Sequence, residues 1–150
     1  LNFIIQKGTE LGVQKFIPIL SERTAVKDIN NERVKKIIIE SAEQSNRISI
    51  PKISKLETLK NFISNFPQKG CLVFCDINSC KGDLKNILSK EILGPVCVLI
   101  GPEGDFSENE RKLIFDLKQS RSISLAKNIL RAETAALVAV TLVNYHLNLS

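Results

Sequence analysis

The chain has 150 residues, of which 43% are apolar and 25% are charged, and this composition excludes a disordered or fibrous protein. Its length is that of a single domain large enough to bury a continuous core. Lysine and arginine number 21 against 16 aspartate and glutamate, which gives a formal charge of +5 and favours a polyanionic partner. Most of these charges nevertheless fit an ordinary solvated helix surface.

The first half of the chain predicts a helix, a short strand and two further helices. Residues at helical spacing open the chain, at Leu1, Ile4, Ile5, Gly8 and Leu11, and Gly12 predicts the end of this helix. The segment Lys15 to Leu20 predicts a strand, which Pro18 makes an edge or irregular one. Asn30 or Asn31 predicts the N-cap of a second helix that ends near Arg47. A weaker helical pattern covers Leu56 to Phe66.

Three short apolar runs follow, CLVFCDI from Cys71, PVCVLIG from Pro95 and SISLA from Ser122. Each predicts a buried parallel strand. Helix-length segments lie between them at Asp83 to Lys90 and Ser107 to Lys118, and the second opens with the spacing of a capping box. This alternation predicts an α/β fold with a parallel sheet covered by helices and with ligand loops at the carboxyl ends of its strands.

The last predicted helix, Ala132 to Leu147, is apolar nearly all the way round. A helix with that distribution must be covered on two sides. The sheet can cover one side, and in a domain of this size a second subunit can cover the other. We therefore expect a homodimer.

The four cysteines, at positions 71, 75, 80 and 97, match neither a paired zinc site nor a redox dithiol. Free thiols favour a reducing cytoplasm. His146 is the only histidine and ends the last helix, so we expect neither a metal site nor a Ser-His-Asp triad. We expect no signal peptide and no helix that spans a membrane, and the initial Leu1 suggests a missing upstream segment.

The stretch LIGPEGDFSENE, from Leu99 to Glu110, places a tight turn between a predicted strand and a capped helix. Gly101 and Gly104 let backbone groups approach a ligand without an intervening Cβ, and Pro102 fixes the turn. Glu103 adds a negative charge that suits a cationic ligand or a hydroxyl. An ordinary solvated connector remains the alternative, and neither a dinucleotide fingerprint nor a phosphate loop is present.

The stretch SLAKNILRAETAAL, from Ser124 to Leu137, interrupts the apolar pattern between the last strand and the last helix. Glu133 fits an ordinary cap, because a negative charge is favourable at a helix N-terminus. Arg131 is disfavoured there, which hints at anion binding or substrate polarisation.

Four ordered blocks of the chain now support a specific resemblance. They are QKGTELGVQKFIPILSERT from Gln6, ESAEQSNR from Glu40, LIGPEGDFSENE and SLAKNILRAETAAL. In this order they resemble the RsmE family of 16S ribosomal RNA uridine-N3 methyltransferases, within the SPOUT superfamily of knotted methyltransferases. The match covers almost the whole chain.

The resemblance implies an S-adenosylmethionine-dependent, metal-independent enzyme that modifies the RNA of the small ribosomal subunit in the cytoplasm. It implies a SPOUT-type α/β knot, in which helices cover both faces of a parallel sheet whose C-terminal part forms a trefoil knot. Family members are homodimers and carry an N-terminal PUA-like RNA-binding domain and a first strand. We expect residues 1–150 to be the methyltransferase domain without these two parts.

Site residues carry over from the resemblance, position by position. The cofactor would contact three loops, at Phe74, Cys75, Ile100, Gly101, Pro102, Glu103, Gly104, Leu125, Ala126, Asn128, Ile129, Leu130, Arg131 and Thr134. Arg131, Glu133 and Glu103 are the catalytic candidates, and Arg23, Lys27 and Arg47 are the RNA-binding candidates. Weaker candidates are Gln6, Thr9, Glu10, Glu43 and Gln44.

The chain departs from the family pattern at four positions. Asp105, Ala126 and Asn46 stand where glycine is frequent, and Asn128 stands where arginine is frequent. We expect backbone angles at Asp105 and Ala126 that a residue with a Cβ adopts readily.

Two other functions remain open. One is a SPOUT enzyme that methylates a ribose 2′-hydroxyl of ribosomal or transfer RNA. The other is a non-catalytic RNA-binding or assembly module.

Overall fold

The computed structural model describes residues 1–24, 28–79, 84–88 and 92–147. Its helices are α1 (Asn2–Glu10), α2 (Asn31–Gln44), α3 (Leu59–Ser64), α4 (Leu84–Leu88), α5 (Glu108–Asp116) and α6 (Ala132–Leu147). Its strands are β1 (Lys15–Phe16), β2 (Ile19–Leu20), β3 (Lys52–Ile53), β4 (Glu57–Thr58), β5 (Cys71–Cys75), β6 (Val96–Ile100) and β7 (Ser120–Ile123). No helix within the described ranges is long and apolar enough to cross a membrane.

A parallel three-stranded sheet forms the centre of the fold, with strand order β6-β5-β7. The predicted parallel arrangement is therefore confirmed. Strand β7 begins at Ser120, two residues before the predicted start, because Ser120 pairs with Leu72 and Arg121 pairs with Val73. The side chains at these two positions are polar, so the apolar run in the sequence begins later than the strand.

Helices cover both faces of this sheet, as predicted. On one face Leu72 and Phe74 of β5 pack in a cluster with Phe62 of α3 and Ile114 of α5. On the other face, Cys71 and Val73 pack in a cluster with Leu88 and Val143, from α4 and α6. The alternation of side chains along β5 thus supplies both cores from five consecutive residues.

The N-terminal half adds two short parallel pairs, β1 with β3 and β2 with β4. The predicted strand from Lys15 to Leu20 is split in two at Ile17 and Pro18. Helix α3 begins at Leu59, later than the predicted Leu56, because Glu57 and Thr58 pair with β2. The side chain of Thr58 then caps α3 by accepting the amide hydrogen of Asn61 at 3.2 Å.

Both ends of α2 are determined by asparagine. Asn30 is the N-cap, and its side chain accepts from the amide of Arg33 at 3.0 Å. At the other end Asn46 has φ of +54°, and the amides of Asn46 and Arg47 donate to the carbonyls of Glu43 and Ala42. This is the pattern of a Schellman motif, with Asn46 in the left-handed position that usually requires glycine.

Candidate active site at the carboxyl ends of the central strands

The three loops predicted to bind the cofactor begin at one edge of the central sheet. Cys75, the last residue of β5, pairs with Ile100 at the end of β6 and with Ile123 at the end of β7. The amide of Asp76 donates to the carbonyl of Ile123 at 2.9 Å, and the hydroxyl oxygens of Ser79 and Ser122 lie 3.0 Å apart. Ligands of open α/β sheets bind at such an edge.

The loop after β6 turns tightly at the GPEG segment. The amide of Asp105 donates to the carbonyl of Pro102 at 2.9 Å, and Asp105 has φ of +58°. Our expectation of ordinary backbone angles at Asp105 is therefore wrong. Aspartate tolerates this left-handed conformation better than most residues, and here its Oδ1 accepts from the amide of Phe106 at 2.7 Å.

The two glycines of this loop lie against protein side chains. A Cβ added to Gly101 would lie 3.4 Å from the ring of Phe106, and one added to Gly104 would lie 3.5 Å from Cβ of Arg23. Both distances are ordinary van der Waals contacts, so packing alone does not require glycine at either position. Glycine at both positions leaves the backbone of this turn open to close approach by a ligand.

The segment from Ser21 to Thr24 docks on the same loop. Arg23 donates from Nη1 to the carbonyl of Gly104 at 2.9 Å, and the amide of Glu22 donates to Oε1 of Glu110 at 2.9 Å. Glu110 also completes the predicted capping box of α5, because its Oε2 accepts from the amide of Ser107 at 3.0 Å. Arg23, an RNA-binding candidate, is exposed at this loop. Lys27 lies outside the described residues.

The loop after β7 carries apolar side chains close to solvent. Leu125, Ala126 and Leu130 are half-buried, whereas Asn128 and Ile129 are exposed, and Ile129 is 85% exposed. A half-exposed apolar surface beside backbone without regular secondary structure suits the binding of an uncharged aromatic ring.

The three remaining candidates of this region lie at the start of α6. Arg131 immediately precedes the helix and is exposed, and its carbonyl accepts from the amide of Ala135 at 2.9 Å. Thr134 is also exposed, and Glu133 is half-buried. A guanidinium and a carboxylate therefore lie two residues apart at the helix end that borders the loop after β7.

The side chains of Phe74 and Cys75, two of the predicted cofactor contacts, do not offer reactive groups. Phe74 is 1% exposed, and its ring lies edge-on to those of Phe106 and Phe115, so the side chain belongs to the core. Burial raises the pKa of the Cys75 thiol to about 12. Cys75 is therefore protonated at neutral pH and is not a nucleophile. Of the four cysteines, Cys71, Cys75 and Cys97 are free thiols as expected, and Cys80 lies outside the described residues.

Two residues that the sequence analysis missed join the loops after β5 and β6. Asp76 directly follows β5 and is 5% exposed, and its Oδ2 accepts from Nη2 of Arg111 at 2.5 Å. Nη1 of the same guanidinium donates to Oδ2 of Asp105 at 3.1 Å. A carboxylate directly after a buried strand was the available signal for Asp76. Arg111 left no signal, because its partners lie 35 and 6 residues away.

The N-terminal candidates have mainly structural contacts. Nη1 of Arg47 donates to the carbonyls of Thr9 and Val13, each at 2.8 Å. Thr9 is fully buried and its hydroxyl donates to the carbonyl of Ile5. Glu10 forms an ion pair with Lys7 at 2.9 Å. These contacts favour a structural role for Arg47 and Thr9, and the proposed RNA-binding role of Arg47 stays a prediction.

The remaining weak candidates lie on α1 and α2. Gln6, Glu10 and Gln44 line a groove of about 460 Å³ that only residues of these two helices form. Glu43 is exposed near the end of α2. In the part of the chain that the structure describes, no group of three or more His, Cys, Asp or Glu residues is placed to hold a metal ion.

Comparison with known proteins gives consistent results. A family model described as "RNA methyltransferase domain" matches residues 1–144. The chain is 33% identical to a Rickettsia conorii protein named ribosomal RNA small subunit methyltransferase E, over 93% of this chain and 57% of that protein. It is 32% identical to the protein of the same name from Bacillus subtilis, over 99% of this chain and 62% of that one.

A solved structure supports the fold. The crystal structure of a ribosomal RNA small subunit methyltransferase E from Neisseria gonorrhoeae, bound to S-adenosyl methionine, matches with a TM-score of 0.84 at 30% identity. The match covers 96% of this chain and 60% of that chain. The chain thus spans about three fifths of the length of these relatives. Since the family model matches nearly the whole sequence, the chain belongs to the RNA methyltransferase domain family.

Proposed function

We propose that this chain is the catalytic domain of an S-adenosylmethionine-dependent enzyme that methylates N3 of a uridine in 16S ribosomal RNA. The observation that carries the proposal is the meeting of three loops at the ends of β5, β6 and β7, beside Arg131 and Glu133. The names of the relatives support a ribosomal RNA substrate, and the cofactor in the Neisseria gonorrhoeae structure supports the methyl donor.

The residues at this edge fit the proposed cofactor. The backbone of Ile100 to Gly104 and of Leu125 to Leu130 would hold the adenosine part, with the apolar surface of the second loop beside the ring. Glu103 is exposed at the turn, where a negative charge suits a cationic ligand. When bound, S-adenosylmethionine supplies a methyl group activated by a positively charged sulfur.

The chain itself must align the acceptor and manage one proton. Arg131 would stabilise negative charge that develops on the uracil as N3 loses its proton. Glu133, which is half-buried, or Glu103, which is exposed, would accept that proton. Arg23, held against Gly104, would contact an RNA phosphate.

Three features of the whole protein complete the proposal. Leu142 and Tyr145 are 37% and 77% exposed on α6, and a second copy of the chain would cover this face in a homodimer. The C-terminal part of the sheet would be tied in a trefoil knot, as the resemblance implies. A role in ribosome biogenesis would place the enzyme in the cytoplasm.

An Arg131→Ala variant tests the role of the guanidinium. We expect methylation of small ribosomal subunits, taken from cells that lack the gene, to fall by at least about 100-fold. The molar mass in solution, measured by light scattering, should stay that of a dimer. Lys118→Ala, which removes an exposed cation at the end of α5, is the matched control and should retain activity.

Mass spectrometry of the modified nucleosides separates the proposal from its alternatives. Methyl on the uracil base supports it, and methyl on ribose would show a 2′-O-methyltransferase instead. A folded protein that neither binds S-adenosylmethionine nor transfers methyl would be a non-catalytic RNA-binding module. Near-normal turnover of the Arg131→Ala variant would remove Arg131 from the mechanism.

A further inference from the structure

Arg111 of α5 connects two of the three loops at the candidate site. One nitrogen of its guanidinium donates to Asp76, directly after β5, and another donates to Asp105, in the turn after β6. The side chain of Asp76 is 3% exposed and that of Arg111 is 19% exposed, so water screens this pair only weakly. Asp105 is half exposed and joins at the surface.

The surroundings of Arg111 hold the guanidinium in one place. Its central carbon lies 5.7 Å from the centre of the Phe74 ring and 5.6 Å from that of Phe115. Cation–π contacts of this kind stabilise a partly buried arginine. Although burial lowers the pKa of Arg111, hydrogen bonding to Asp76 and the charges of Asp76 and Asp105 raise it overall above its ordinary value. The residue is thus permanently charged.

Arginine is well suited to make both contacts at once. Its planar fork presents several donors in fixed directions, whereas a lysine ammonium is a single flexible point charge. Asp105 contributes in two ways, because Oδ1 accepts from the amide of Phe106 while Oδ2 accepts from Arg111. The left-handed turn at Asp105 is therefore linked through one guanidinium to the end of the neighbouring strand.

We propose that Arg111 is a positioning residue that fixes the distance between the loops after β5 and β6, and so the shape of the cofactor site. The inference rests on the proposed function, since it assigns these loops to S-adenosylmethionine. Asp105 then has a role that glycine, which lacks a side chain, could not fill. Its carboxylate anchors the GPEG turn to Asp76 through Arg111.

The variants Asp105→Asn and Arg111→Met test whether these contacts position the two loops. Asparagine keeps the left-handed preference and the oxygen that accepts from Phe106, and it replaces the charged oxygen that accepts from Arg111 with an uncharged NH2 group that cannot accept. We expect Arg111→Met to weaken binding of S-adenosylmethionine at least about tenfold in calorimetry, and Asp105→Asn to weaken it about threefold. The double variant should bind like Arg111→Met alone, because both changes remove the same contact.

Two further variants separate positioning from general stability. Lys112→Met removes the exposed neighbouring cation of α5 and should bind the cofactor normally. Arg111→Lys should bind less tightly than the wild type, since a single flexible ammonium does not hold the two carboxylates in the fixed geometry of the guanidinium. Each variant is also unfolded in urea, so that a change in affinity is compared with the free energy of unfolding. If Arg111→Met does not fold, the affinities of Asp105→Asn and Arg111→Lys for S-adenosylmethionine test the proposal.

Amide hydrogen exchange without cofactor provides the second readout. Exchange at residues 76–79, 101 and 103–105 should accelerate in Arg111→Met and remain at the wild-type rate in Lys112→Met. Unchanged exchange, unchanged affinity, or effects of Asp105→Asn and Arg111→Met that simply multiply would overturn the proposal. If the wild type binds no S-adenosylmethionine but exchange accelerates in Arg111→Met, the proposed function is wrong. The conclusion that Arg111 holds the two loops together is still supported in that case.

Discussion

Arg47 donates two charge-assisted hydrogen bonds to carbonyls of Thr9 and Val13, at the point where α1 has ended. The carbonyl of Thr9 lies in the last turn of α1, at the negative end of the helix dipole, and also accepts from the amide of Gly12 at 3.1 Å, whereas Val13 follows the helix. A cation there stabilises the fold, whatever it also does toward RNA.

Replacing Arg47 by alanine should therefore lower the free energy of unfolding by about 2 kcal/mol, because two charge-assisted bonds are lost and one or both carbonyls stay poorly solvated. Urea unfolding followed by circular dichroism measures this. Lys36→Ala is the control, since Lys36 forms an exposed ion pair with Glu40 at 3.9 Å and its loss should change stability by less than about 0.5 kcal/mol. Weakened RNA binding with unchanged stability would contradict the structural role.

Residues of the candidate site could be predicted where the neighbouring sequence shows an unusual feature. Gly101 to Gly104 follow an apolar strand, and Arg131 breaks the charge preference of a helix start, so both were recognisable. Asp76 and Arg111 were not recognised as partners, because a contact across 35 residues leaves no periodic trace. Arg47 was predicted to bind RNA from the family resemblance, and only the structure revealed its carbonyl partners.

Helix α2 provides a test at the level of an element. Asn46 occupies the left-handed position of its C-terminal motif with φ of +54°. Asn46→Ala should destabilise the protein by about 1 kcal/mol, because a Cβ without a polar end group is disfavoured in this conformation. Asn46→Gly should be neutral or slightly stabilising.

Thermal and urea unfolding of these two variants measure the difference directly. Equal stabilities of the alanine and glycine variants would show that the left-handed conformation at Asn46 does not govern the end of α2.

Among the elements, β5, β6 and α6 were the most predictable, although β6 is mostly half-buried rather than buried as predicted. β5 and β6 are continuous apolar runs, and α6 has the predicted bounds of Ala132 to Leu147. β3 and β4 have two residues each and include Lys52 and Glu57, so neither periodicity nor apolar content marks them. They form only because β1 and β2 offer backbone partners in the folded chain.

At the scale of the whole molecule, the N-terminal helices and the central sheet meet through α6. Nδ2 of Asn144 donates to the carbonyl of Leu11 at 2.6 Å, just after α1 ends. The segment from Ser21 to Thr24 joins the same two parts at the GPEG turn. The candidate RNA contact at Arg23 and the candidate cofactor loops are thereby connected by defined hydrogen bonds.

A crystal structure of the protein with S-adenosylhomocysteine, the product form of the proposed cofactor, tests the central claim most directly. We predict that its adenosine part contacts the backbone of Ile100 to Gly104 and of Leu125 to Leu130, with Arg131 bordering the amino acid part. Density for the ligand in the groove between α1 and α2, or anywhere away from the ends of β5, β6 and β7, would contradict the account.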